Sequence, residues 1–251
     1  MGKTRFTFGL IRNNRPLSQG HPIVTYYLLH GSSGIPVMHG GANFNYFDRG
    51  LPNTPANSAA FQIQGVYVAY PQFAQAGTWA IVVRLKYGGH SLMGQSGPFT
   101  VARQSTSPAV GSPAPRSNNP TIAQEPATKL DSGRPPDDMH RLSIANAIGM
   151  RKPLLVLFAT AAFCESRLCG PEIQVIQQIE NRYRGRVNFV HIEIYKDANP
   201  SHGYAPAVKQ WRLHTEPWTF IVDRRGIIRA KFEGPTPGSE IIPALNSVLR
   251  A

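Results

Sequence analysis

PLLVLFATAAFCESRLCGP, Pro153 to Pro171, holds the only two cysteines of the 251-residue chain. It opens with an unbroken apolar run, Leu154 to Ala159, too short for a helix and rich in Leu, Val and Phe. That is how a parallel strand buried on both faces reads. A small-residue loop follows, then Cys164, four residues, Cys169, Gly170-Pro171 and the amphipathic run EIQVIQQIENRYR, with Ile173, Ile176 and Ile179 at helical spacing. Both cysteines therefore fall where a strand ends and a helix begins, where unpaired backbone N–H groups and the helix dipole favour a thiolate.

Their spacing limits what they can do together. In a regular helix, residues five apart have Cα atoms about 8.6 Å from each other, beyond the roughly 7 Å that a disulfide spans. The pair can bridge only if Glu165 to Leu168 form a loop and the helix starts near Cys169. Gly170-Pro171 supports that start, because proline suits a first helical turn. Which cysteine would attack is left open: Glu165 disfavours a thiolate at Cys164, Arg167 favours either, and Cys169 lies nearer the helix dipole.

Outward from this stretch, residues 139–251 alternate strand and helix patterns. MHRLSIANAIG reads as a short helix, VNFVHIEIY as a strand, YAPAVKQWRL as a helix, WTFIVD and IIRAKFEG as two strands across the turn Asp223 to Gly226, and SEIIPALNSVLR as a closing helix. A strand–helix–strand unit followed by an antiparallel pair is an α/β arrangement. His191, in mid-strand, reads as a core or edge residue.

Strand, two cysteines, Gly-Pro, helix, strand, helix, then TEPWTFIVD with a proline entering a strand resembles the thioredoxin superfamily over Met139 to Ala251, nearest its TlpA-like extracytoplasmic branch. The resemblance implies a thioredoxin-like fold and an extracytoplasmic thiol–disulfide oxidoreductase acting on protein thiols or disulfides without a cofactor. Cys164 and Cys169 would be the catalytic pair. Pro217 would be cis and face them, lining with Glu216 and Trp218 the groove that takes a substrate strand. Two departures stand out: the spacing is C-x4-C instead of C-x2-C, and LLVLFA lacks the buried acid that thioredoxins carry on this strand. Two other readings are therefore kept. One is a Sco-like copper chaperone, with Cys164, Cys169 and His214 as ligands; two thiolates and an imidazole suit copper. The other is a non-catalytic thioredoxin-fold protein with a structural disulfide.

Residues 1–102 read as all-β. RFTFGLIR, IVTYYLLH, FQIQGVYVAY, TWAIVVRLKY and PFTVA are β-branched and aromatic runs between Gly, Pro and Asn clusters. GVYVAYPQFAQAGTWAIVV resembles Ig-like sandwiches of the FixH/YtkA and CopC kind. Residues 31–58 read as one long loop containing Met38 and His39, with His90 and Met93 in a later turn. CopC-like domains bind copper through such residues, but four scattered candidates read more simply as loop residues without a ligand. Residues 103–138, with seven prolines among Ser, Ala and Asn, read as a linker unable to bury a core; within it PAVGSPAPRSNNPT resembles the entry segment of TlpA-like and peroxiredoxin-like domains, which implies that this part lies along one domain.

The net charge of +12 raises the question of an anionic partner. The excess is spread along the chain, and no basic run is interleaved with aromatics, so no nucleic-acid partner is expected; association with a membrane or cell-wall surface is compatible with it. Nothing is long and apolar enough to span a membrane. Met1 to Asn13 lacks an apolar h-region and reads as a strand, so a secretory signal or anchor is not expected within this chain. No Gly-rich phosphate loop, paired-carboxylate constellation or Ser/His/Asp signature is found.

Overall fold

The computed structural model describes residues 1–48, 51, 63–164 and 168–250, which divide into two units. Met1–Tyr46 and Ile63–Ser105 form the first; Thr106–Ala251, together with 47–62, form the second.

The first unit is all-β. Its strands are β1 (Gly2–Lys3), β2 (Phe6–Phe8), β3 (Leu10–Arg12), β4 (Arg15–Leu17), β5 (Ile23–His30), β6 (Ser33–Gly41), β7 (Asn43–Tyr46), β8 (Gly65–Ala69), β9 (Gln72–Phe73), β10 (Gly77–Tyr87), β11 (His90–Gln95) and β12 (Phe99–Val101). One sheet runs β11-β10-β5-β6 with β12 also on β10; another runs β2-β8-β7. Alternate residues of β5 and β10, Val24, Tyr26, Leu28, Trp79, Ile81 and Val83, share one buried cluster with Tyr67 and Ala69 of β8. Period-2 side-chain alternation thus places one face of each sheet against the other.

The loop expected over residues 31–58 is corrected for its first part: β6 and β7 occupy most of 33–46, while 49, 50 and 52–58 lie outside the described residues. Edge position accounts for the missed strand. SGIPVMHGG lies at the sheet edge and is largely exposed, so it carries no hydrophobic alternation, and Pro36 is tolerated beside the register shift opposite Tyr26 and Tyr27. Met38 and His39 sit on β6, while His90 and Met93 sit on β11, at the opposite edge of the same sheet. They do not converge on one site.

In the second unit, β13 (Leu154–Ala159), β14 (Asn188–Glu193), β15 (Trp218–Val222) and β16 (Ile228–Glu233) form a sheet of order β14-β13-β15-β16. β13 runs parallel to β14 and antiparallel to β15. All six residues of β13 are buried, each large one contributing about 1.5–3 kcal/mol. Leu154, Val156 and Phe158 join a core with Ile144 and Ile148 of α2 (Ile144–Gly149) and Val208 of α4 (Pro206–Gln210). The other face meets α3 (Cys169–Tyr183), which packs in turn on α5 (Gly238–Arg250). This is a thioredoxin-like fold.

Helix α2 is shorter than the expected run from Met139. Ser143 caps it, its side chain accepting the Asn146 N–H at 3.1 Å.

The linker expected over 103–138 to lie along one domain only in part packs with the second unit from Thr106 onward, and a short helix, α1 (Ala127–Leu130), lies within it. Gly111 N–H donates to the Ile228 carbonyl at 2.8 Å, Ile228 N–H to Ser112 at 3.0 Å and Ala114 N–H to Gly226 at 2.9 Å. Ser117 Oγ accepts the indole N–H of buried Trp211 at 3.1 Å and donates to Gln210 Oε1 at 2.5 Å. Its prolines lack N–H groups, but the segment's carbonyls and short polar side chains anchor it without any hydrophobic period.

Candidate active site

Sheet geometry delivers the cysteines. β13 ends at Ala159 and α3 begins at Cys169, with Leu168 as its N-cap residue, so the helix starts where the spacing argument required. Ser132, from the preceding arm, holds the intervening loop: its Oγ accepts the N–H groups of Ala161 and Ala162 at 3.1 and 3.0 Å and lies 3.2 Å from Thr160 Oγ1. Ser132 N–H donates to Glu193 Oε2 at 3.0 Å.

The two thiols differ sharply. Cys164 is partly exposed, Cys169 fully buried, and both are unbridged. Cys169 N–H donates to Cys164 Sγ at 3.2 Å, placing a helix N-terminal donor on the exposed sulfur. A hydrogen bond to Cys164, then burial, hold the Cys169 thiol far above the ordinary thiol range, against an opposing contact from the Thr160 backbone. The proton is thus kept on Cys169, and negative charge is favoured on Cys164.

The Glu216–Pro217 peptide is cis, and Pro217 is buried immediately before β15. The Glu216 carboxylate lies within 4.8 Å of both sulfurs. Trp218, expected to line a groove, is instead 5% exposed and belongs to the core, stacked on Phe220 with its indole N–H on Thr215 Oγ1 at 2.9 Å. Strand alternation puts it on the same packed face as Phe220 and Val222. His214 is exposed and is not among the ligand-type groups gathered within 4.8 Å of the sulfurs. Among the described residues, the ligand-type group gathered with the two sulfurs is the Glu216 carboxylate.

β13 carries no acid, but a buried carboxylate enters from the helix. Glu172, fully buried one turn beyond Cys169, accepts Thr219 Oγ1 at 2.7 Å and Thr236 N–H at 2.6 Å. The i, i+3 spacing of Cys169 and Glu172 puts them on one helix face, a signal present in the sequence.

Among solved structures, the chain is similar to a thiol:disulfide interchange protein of the thioredoxin family from Chlorobium tepidum (17% identity, 57% of this chain and 99% of that one, TM-score 0.41). It is also similar to the C-terminal domain of a putative thiol-disulfide oxidoreductase from Bacteroides thetaiotaomicron (15%, 58% and 99%, TM-score 0.40). A third likeness is to chloroplastic thioredoxin z (20%, 42% and 85%, TM-score 0.34). No protein-family model and no curated protein matches.

Proposed function

We propose that this protein is an extracytoplasmic thiol–disulfide oxidoreductase of the TlpA-like kind, acting on protein thiols or disulfides. The observation that carries the reading is the Cys169 N–H on Cys164 Sγ at 3.2 Å, because it assigns the exposed sulfur the attacking role and the buried one the resolving role.

The Cys164 thiolate attacks a substrate disulfide, forming a mixed disulfide and expelling one substrate thiolate. Cys169 then gives up its proton, for which the Glu216 carboxylate is the nearby acceptor, and attacks Cys164 Sγ. The second substrate thiolate leaves, the enzyme carries a Cys164–Cys169 disulfide, and two electrons have passed to the substrate; the reverse sequence oxidises a substrate dithiol. No cofactor enters either direction. The cis Glu216–Pro217 segment beside the pair is the backbone on which we place the substrate strand.

The first unit we read as an Ig-like module of the FixH/YtkA/CopC kind, on its two-sheet core and the G-x-Y and A-G-x-W strands. The charge of +12 supports contact with an anionic membrane or cell-wall surface. A trapping experiment tests the catalytic assignment: Cys169→Ser should accumulate mixed disulfides through Cys164 with a reduced-and-reoxidised model protein, whereas Cys164→Ser should accumulate none. Equal trapping by both variants contradicts it.

A further inference from the structure

Asp131, Asp137 and His140 come from one segment of the second unit and His191 from β14, yet all four are buried and their ligand-type atoms lie within 4.8 Å of one another. His140 Nε2 is 3.2 Å from Asp137 Oδ1 and 3.5 Å from Asp131 Oδ2. At 2% exposure this nitrogen is aimed between the two carboxylates in ion-pair contact with both, without the geometry of a hydrogen bond to either. His191 Nε2 faces the Ala159 carbonyl at 3.3 Å and Nδ1 faces Asp137 Oδ2 at 2.7 Å. Burial opposes charge on this ring, but the Asp137, Asp131 and Glu193 carboxylates outweigh it and raise its pKa to about 9, so the metal-free ring carries a proton on each nitrogen, and one of them must leave for the ring to ligate.

We propose that Asp131, Asp137, His140 and His191 form a binding site for a divalent transition-metal ion of the zinc class, separate from the cysteine pair. Charge fits: two carboxylates and two neutral imidazoles balance one divalent cation. Ligand type fits as well, since imidazole and carboxylate both bind zinc at about 2.0–2.2 Å. That bond length sets neighbouring ligand atoms of a tetrahedron roughly 3.3–3.5 Å apart, the spacing His140 Nε2 already keeps from both carboxylates. The 2.7 Å contact would widen by roughly 0.6 Å when the proton between His191 and Asp137 leaves.

The surroundings are built to hold ligands in place. With Nε2–H on the Ala159 carbonyl, His191 presents the Nδ1 lone pair inward, the usual way a ligating ring is oriented by its other nitrogen. Asp131 Oδ1 accepts Gly133 N–H at 2.7 Å, its Oδ2 accepts Asp137 N–H at 2.7 Å, and Asp137 Oδ1 accepts Met139 N–H at 2.9 Å. A cavity of about 300 Å³ is lined by His140 and His191 together with Leu130, Glu193 and Gln210, so two of the four residues border open space. An ion here would clamp the arm to β14, next to the Ser132 that holds the loop before Cys164.

The test uses the full chain carrying Cys164→Ser and Cys169→Ser, freed of metal by a chelator, so that no thiolate competes. Titration with Co²⁺ should give one equivalent with the intense visible bands of a four-coordinate ion and no thiolate charge-transfer band, reversed by one equivalent of Zn²⁺. His140→Ala in that background should weaken binding by about 10- to 100-fold or more. Asp131→Asn, which keeps the side chain's size, should also weaken it and serves as the readout if His140→Ala does not fold. Absence of stoichiometric Co²⁺ binding by the folded parent, a six-coordinate spectrum, or affinity unchanged in a folded variant overturns the site and leaves the cluster as a buried, proton-balanced charge group.

Discussion

Cys169 places its backbone N–H 3.2 Å from the sulfur of Cys164 while its own side chain is fully buried. One residue thus stabilises its partner's thiolate and withholds its own. In the native reduced protein a thiol-alkylating reagent should modify Cys164 and spare Cys169, and both should react after denaturation, as read by peptide mass. Preferential modification of Cys169 would reverse the assignment.

Copper binding separates the exchange reading from a chaperone. Because His214 is exposed and outside the group of atoms around the sulfurs, Cu(I) competition titrations should give the same affinity for the parent and His214→Ala. A loss of tenfold or more in that variant would restore the imidazole as a ligand.

Ser117 tests whether the arm is structural. Ser117→Ala removes the acceptor of the buried Trp211 indole N–H and the donor to Gln210. Leaving a buried donor unpaired costs about 1–3 kcal/mol, so the unfolding free energy of the second unit from urea melts should fall by that amount, with the midpoint moving to lower urea. An unchanged midpoint would return the segment to the status of a passive tether.

Asp223 carries a pH dependence. Its Oδ1 accepts the N–H groups of Arg225 and Ile227 at 2.8 and 3.0 Å, and its Oδ2 pairs with the Arg229 Nε at 2.7 Å. Burial opposes the charge, but these contacts outweigh it and hold the carboxyl below its ordinary value. A lowered folded-state value means stability that is fully present above the ordinary carboxylate pKa of about 4 and lost as pH falls through the folded value. Asp223→Asn should cost about 1–3 kcal/mol at neutral pH, with the difference from the parent shrinking at low pH. A pH-independent difference would show that the charge plays no part.

How much of this was legible in the sequence depended on whether a contact leaves a period. Leu154–Ala159 is packed on both faces, so it reads as a continuous apolar run, and Gly170-Pro171 marks the start of α3; both were readable and together placed the cysteines. The arm was legible only through the likeness of PAVGSPAPRSNNPT to a domain entry segment, because Gly111, Ala114 and Ser117 are held through backbone groups and one hydroxyl, which leave no pattern. β6 was missed because an exposed edge strand buries no alternate face. Trp218 was placed in a groove because sequence proximity to Pro217 says nothing of which sheet face a first strand residue takes. Asp131, Asp137, His140 and His191 could not be grouped at all: β14 brings His191 to a segment more than fifty positions earlier, and only the tertiary fold supplies that contact.

The most direct test of the account is the equilibrium reduction potential of the Cys164–Cys169 pair, measured by mass spectrometry of alkylated protein across a series of thiol–disulfide buffers. The account predicts one reversible two-electron transition to an intramolecular disulfide, falling within the roughly −270 to −120 mV spanned by thioredoxin-like oxidoreductases. A pair that never bridges, or one that stays oxidised below about −300 mV as structural disulfides do, would contradict it.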